Sequence, residues 1–156
     1  MIYETTDAKT MHAIMMQAYE ETRHYPAYSS ALDETEETIE AEFAEGGRGF
    51  IYEQRGTPVA SIRIKVDGDA IYFHRLSVLP AYRGKGYAKK LLKHIETYAN
   101  AYGLHKMRVK VRKEVLRNME LYQAQGYEIV SETIVNRGSV QIPTVMMEKQ
   151  LRVSAR

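Results

Sequence analysis

"LSVLPAYRGKGYAKKLL", residues 76–92, joins the end of an apolar run to the opening of an amphipathic helix. The turn between them holds Gly84 and Gly86 among four basic side chains: Arg83, Lys85, Lys89 and Lys90. Pro80 stops the strand, because a ring-locked residue with no N–H cannot continue the ladder. The first turn of the following helix has free N–H groups and the positive end of the helix dipole, so an anion can dock there. Glycine lets the backbone approach such an anion without a Cβ in the way. Neither common phosphate signature is met: no G-x-x-x-x-G-K-[ST] run occurs, and Lys89 stands where G-x-G-x-x-G needs its third glycine. By itself the turn leaves two readings open, an anion cradle or a basic turn leading into a surface helix.

Working outward, the helix that begins near Gly86 carries Ala88, Leu91, Leu92, Ile95, Ala99 and Tyr102 on one face, and Gly103 closes it. Upstream, "GFIYEQ", "VASIRIKV" and "AIYFHRLSVLP" read as three strands, with "DG" between the last two as a hairpin signal. Further back lie a short strand at 2–5, a helix from the N-cap Asp7 to about Thr22, and an acidic helix within 33–47. Met11, Ile14, Met15 and Ala18 form a core stripe on the first helix. Downstream, "KMRVKV" is a strand with Met107, Val109 and Val111 inward, "EVLRNMELYQAQ" a helix, and 127–135 with 140–151 a final strand pair. The order β-α-α-β-β-β-α-β-α-β-β predicts a mixed α+β fold: one sheet of about seven strands flanked by about four helices. Residues 1–156 read as a single domain, with no repeat or linker.

Net charge +2 conceals a division. Residues 1–60 hold 12 acidic and 4 basic side chains, a balance of −8; the remainder holds 8 and 18, a balance of +10. Surfaces of opposite sign suit different ligands. With no cysteine there is no disulfide framework, no thiolate metal site and no cysteine nucleophile. No leader-like start or apolar run long enough to span a membrane is present, so a cytoplasmic location is the expectation.

"LSVLPAYRGKGYAKKLL" resembles the acyl-CoA signature of the GNAT family of N-acetyltransferases, R/Q-x-x-G-x-G/A, met by Arg83, Gly86 and Ala88. A second family element, L-Y-x-x-x-G-F/Y, appears as Leu121, Tyr122, Gly126 and Tyr127. The order of elements fits the same fold over nearly the whole chain. One departure is Val115, where many members carry Asn; Asn118 lies one turn later, on the face of Tyr122.

The resemblance implies acetyl transfer from acetyl-CoA directly to an amine, with a mostly antiparallel GNAT-like sheet. It places the pantetheine arm along Leu76, Ser77 and Val78. The pyrophosphate falls on Arg83, Gly84, Lys85, Gly86, Tyr87 and Ala88, with Lys89 and Asn118 beside the cofactor. It also makes Tyr122 the general acid for the departing thiolate, and His74, on the preceding strand, a candidate base. Tyr72 shares the face of His74 by alternation, and a water chain is the other route for the proton. The acidic residues Asp33, Glu34, Glu36, Glu37 and Glu40, with the aromatic loop His24, Tyr25 and Tyr28, suit a cationic amine, so a small-molecule acceptor is expected. A protein or peptide amine, or a non-catalytic acyl-CoA-binding domain, stay open as alternatives. "KMRVKVRK" reads as the solvated face of a sheet, so neither a nucleic acid nor a membrane is an expected partner. The oligomeric state is open, a homodimer included.

Overall fold

Asp7 starts the first helix as its side chain predicts: Oδ1 accepts the Thr10 N–H at 3.1 Å. A computed structural model describes residues 1–152. Strand β1 (Ile2–Thr5) leads into helix α1 (Ala8–Tyr19), which tightens into a 3-10 turn over Glu20–His24. Tyr25 is extended ahead of Pro26, as the proline ring requires of its predecessor. The acidic helix α2 (Glu36–Ala44) starts later than the composition suggested. Thr35 and Thr38 cap each other reciprocally there, and Asp33 belongs to a preceding 3-10 turn, Ser30–Asp33.

Three strands follow: β2 (Arg48–Gln54), β3 (Thr57–Asp67) and β4 (Ala70–Val78). Then come α3 (Tyr87–Ala101), β5 (Lys106–Arg112), α4 (Leu116–Ala124), β6 (Glu128–Arg137) and β7 (Val140–Gln150). Among the described residues the hydrogen-bonded strand order is β1-β2-β3-β4-β5-β7-β6, seven strands with four α-helices. Pairing is antiparallel for β1–β2, β2–β3, β5–β7 and β6–β7. It is parallel for β4–β5, where Ala70–Tyr72 face Lys106–Arg108.

The chain divides into two compact units, Met1–Lys65 with Phe73–Ile95, and Val66–Tyr72 with Glu96 onward. In the first, Met11, Met15, Ile39, Phe50 and Ile62 are buried, which confirms the methionine stripe as core. Gly49 shows how close the packing is: a Cβ there would sit 2.6 Å from Met11 Sδ and 2.8 Å from Phe43. In the second unit Met107, Val109, Val111, Val145 and Met147 are buried, the inward set expected for β5.

Two details differ from the periodicity. Tyr102 is 64% exposed and lies beyond α3, where the Gly103 and Leu104 amides fold back on Asn100 and Ala99. Tyr87 rather than Ala88 begins the buried face of that helix, which continues through Leu91, Leu92, Ile95 and Ala99. Helix α4 begins at Leu116 instead of Glu114: Val115 ahead of it is not helical (φ −88°, ψ 79°) and gives the helix no side-chain cap.

Candidate functional site

The glycine turn belongs to the first unit. Gly84 (φ +77°) and Gly86 (φ +85°) both adopt the left-handed conformation that glycine alone takes without strain. A Cβ at either would meet nothing within 4 Å, so this side of the turn is open. The amides of residues 84–89 take no backbone acceptor among the described residues. The first bond of the helix is Lys90 N–H to Gly86 O, at 3.1 Å. A run of free N–H groups beside an open surface at the start of a 15-residue helix has the geometry that can take an anion.

The basic side chains around it divide unevenly. Arg83 is turned toward α1: its guanidinium donates to Ala18 O at 2.7 Å and to Glu21 at 3.2 Å. It therefore anchors the turn. Lys85 lies 5.4 Å over the Tyr82 ring, and Lys90 lies over Tyr52 and Tyr87 at 5.7 and 5.8 Å. Lys89 is exposed. Tyr87 is buried edge-on against Tyr52, with ring centroids 4.7 Å apart, which fixes the first turn of α3.

Upstream on the same unit, β4 is not a regular strand. Arg75 sits at φ +54°, a conformation that L side chains rarely adopt. Around it, the Arg75 carbonyl accepts the Ser77 hydroxyl at 2.9 Å, and the Leu76 carbonyl accepts Tyr19 OH at 3.2 Å. Ser77 is buried, while Leu76 and Val78 are partly exposed. Thus Leu76–Val78 and the 83–89 turn are successive segments of one unit.

His74 has a partner that periodicity did not supply. Its Nε2 lies 3.0 Å from Glu42 Oε1, and its Nδ1 is shut away from solvent. Glu42 Oε1 also accepts from Arg63 Nη1 at 3.2 Å, and its Oε2 is shut from solvent with no hydrogen bond. Burial works to raise the Glu42 carboxyl, but the His74 hydrogen bond and charge, with Arg63 and Arg75, hold it below its ordinary value. Arg63 and Arg75 also share Glu34, at 2.6 and 2.7 Å. Glu34, expected on the acceptor-binding face, is therefore committed internally. The signal for Arg63 was a charge set directly between Ile62 and Ile64 in the apolar run "VASIRIKV", with an acidic helix upstream to pair it; the left-handed Arg75 left no trace in the sequence.

In the second unit, α4 carries Asn118 and Tyr122 on one face, and Gly126 (φ +95°) ends the helix. Tyr122 is buried, with its ring 5.7 Å from that of Tyr127. Burial first, then Glu96 and Tyr122, push the Tyr127 hydroxyl above its ordinary value. The basic β5 is paired off: Arg108 with Glu148 and Asp67, Lys106 with Asp69 and Glu148.

The sequence profile of the Acetyltransferase (GNAT) family matches residues 9–127, a span holding both the glycine turn and the Tyr122 motif. The chain belongs to the GNAT acetyltransferase family. Enzymes of this family use acetyl-CoA as cosubstrate. No curated protein matches the chain. Solved structures with the same fold include the ribosomal-protein-S18-alanine N-acetyltransferase of Escherichia coli, at 17% identity and TM-score 0.78, covering 99% of this chain and 97% of that one. The PaiA N-acetyltransferase of Thermoplasma acidophilum, in complex with coenzyme A, shares 17% identity at TM-score 0.77, over 96% and 99%. YncA of Salmonella typhimurium, solved with its cofactor acetyl-CoA, shares 19% at TM-score 0.76, over 100% and 96%. This GNAT chain shares their seven-stranded, four-helix architecture. No helix among its described residues is long and apolar enough to cross a membrane.

Proposed function

We propose that this GNAT acetyltransferase transfers an acetyl group from acetyl-CoA directly to a primary amine of a small-molecule acceptor, and that residues 1–156 work as one catalytic domain. The observation that carries the reading is the open turn at Gly84 and Gly86 ahead of α3, whose free amides suit a pyrophosphate. Lys85 and Lys89 add positive charge there, and Arg83 holds the turn to α1. The β4 backbone over Leu76–Val78, beyond the stretch paired to β5, offers hydrogen bonds to the pantetheine arm, and Asn118 offers one to the cofactor from α4.

Acetyl-CoA supplies a thioester carbonyl. The acceptor nitrogen bonds to that carbon, the C–S bond breaks, and the thiolate takes the Tyr122 hydroxyl proton. With no cysteine in the chain, an acyl-cysteine intermediate is out of reach. His74 enters as the partner of Glu42, since its Nδ1 is closed to solvent, and the ammonium proton leaves to water. The remaining carboxylates of α2, Glu36, Glu37 and Glu40, give the acidic surface that favours a cationic amine.

A protein α-amine is the second reading, because one similar fold acts on the alanine of ribosomal protein S18. A free-thiol release assay over a panel of small amines and N-terminal alanine peptides separates the two. Turnover confined to peptides replaces the small-amine reading, and no turnover on either, with acetyl-CoA still bound, marks a binding domain. Gly86→Glu should abolish the rise in Tm that acetyl-CoA gives the wild type. Tyr122→Phe should lower kcat about 10²-fold or more with little change in acetyl-CoA affinity. An unchanged kcat removes Tyr122 from the chemistry.

A further inference from the structure

Arg75 is the one position inside the described strands, turns aside, where a side chain is held at positive φ. Nothing local favours this: arginine has no short side chain to stabilise a left-handed backbone, and the residues on either side lie within the strand. Inward parity along β4 runs through Ile71, Phe73 and Ser77, all buried, and Arg75 breaks it. Something outside the strand must hold the kink.

We propose that Glu34 and Arg75 form a positioning clamp that sets the β4 backbone for acetyl-CoA, an inference that rests on the cofactor reading above. Arg75 Nε donates to Glu34 Oε2 at 2.7 Å, and Nη2 donates to Ser30 Oγ at 3.0 Å. Both acceptors belong to the segment between α1 and α2. Glu34 is itself fixed from three further sides. Arg63 Nη2 donates to its Oε1 at 2.6 Å, His12 Nε2 donates to its carbonyl at 2.9 Å, and its own N–H donates to Ala31 O at 3.2 Å. Arg63 is 2% exposed on β3, so the clamp is footed in the sheet.

The consequence falls on the next two residues. With Arg75 left-handed, its carbonyl meets the Ser77 hydroxyl and the Leu76 carbonyl meets Tyr19 OH. Just past the strand's end the Leu79 N–H donates to Val59 O at 2.9 Å. The backbone over Leu76–Val78 therefore points where the clamp puts it. Glu34 and Arg75 touch neither cofactor nor substrate in this scheme; they act through the main chain.

Glycine separates this role from a merely structural one, because it takes positive φ without the side-chain hold. Acetyl-CoA affinity is measured by calorimetry on wild type, Arg75→Ala, Arg75→Gly, Glu34→Gln and the Glu34→Gln, Arg75→Gly double variant, with Tm recorded for each. The expected result is about tenfold weaker binding for Arg75→Ala and Glu34→Gln, and Arg75→Gly within about threefold of wild type. Adding Glu34→Gln to Arg75→Gly should then cost no further affinity. If Arg75→Gly binds as weakly as Arg75→Ala, the clamp is overturned while the cofactor reading stands. Should Glu34→Gln lower Tm too far to assay, Ser30→Ala tests the other arm, and unchanged affinity in both Ser30→Ala and Arg75→Ala equally overturns it. Failure of the wild type to bind acetyl-CoA overturns both.

Discussion

Two ion-pair clusters, one in each unit, use the same residue types to different ends. In the first, Arg63 and Arg75 grip Glu34, and Arg63 and His74 grip Glu42. In the second, Arg108 grips Glu148 and Asp67, and Lys106 joins through Glu148 and Asp69. The distances are similar, 2.6–3.2 Å and 2.7–3.7 Å. The surroundings are not. Arg63 is buried and its partners tie a loop and a helix to the sheet, whereas Asp67 and Asp69 are 51% and 74% exposed. Buried charges cannot be left without partners, while exposed ones return to water. The same chemistry is thus architecture in one unit and surface finish in the other.

The sharpest way to break that contrast is Arg63→Ala. It removes the fully buried cation shared by Glu34 and Glu42, leaving Glu34 to Arg75 and Glu42 to His74, and we expect a loss of about 3–5 kcal/mol in urea unfolding. A loss below about 1 kcal/mol would place the first cluster in the same class as the second. Acid comes next. The Glu42 carboxyl lies below its ordinary value of 4.5 in the folded state, so its contribution is present above that pH and fades as pH falls through the folded value. Unfolding free energy should therefore fall more steeply below pH 4.5 in wild type than in Glu42→Gln; parallel curves would remove Glu42 from the acid response. Arg108→Ala should cost only about 1 kcal/mol, because half-exposed Asp67 regains water and Glu148 keeps Lys106. Smallest is Lys113→Ala, which breaks a pair with Glu132 that is about half exposed on both sides, and should change stability by less than about 0.5 kcal/mol.

The difference between the clusters also explains what could be read beforehand. The strand-turn-helix at residues 70–101 was legible because its signals are local: alternation, Pro80, two glycines, then an apolar stripe at helical spacing. Asp7 and the methionine stripe of α1 were legible for the same reason. Tyr102 was not, because periodicity cannot say where a helix has already turned away through its closing glycine. Arg83 shows the same boundary within the site. Its place in the motif is a matter of spacing, but its use as an anchor on Ala18 and Glu21 depends on a helix 62 or more residues earlier.

The amino-acid sequence by itself determined the order of the elements, the glycine turn and the family, since each rests on residues close together along the chain. Only the tertiary structure decided that Glu34 serves Arg63 and Arg75 instead of facing solvent, that His74 is tied to Glu42, and that β4 kinks at Arg75. The physical reason is separation: these contacts join residues 29, 41 and 32 positions apart. Pairing at such range is set by how helices lie on the sheet, not by any local preference of the backbone. The turn 83–88 is left-handed at both glycines and open beside them, as glycine allows; the strand before it is bent at Arg75, whose side chain reaches a carboxylate 41 positions away.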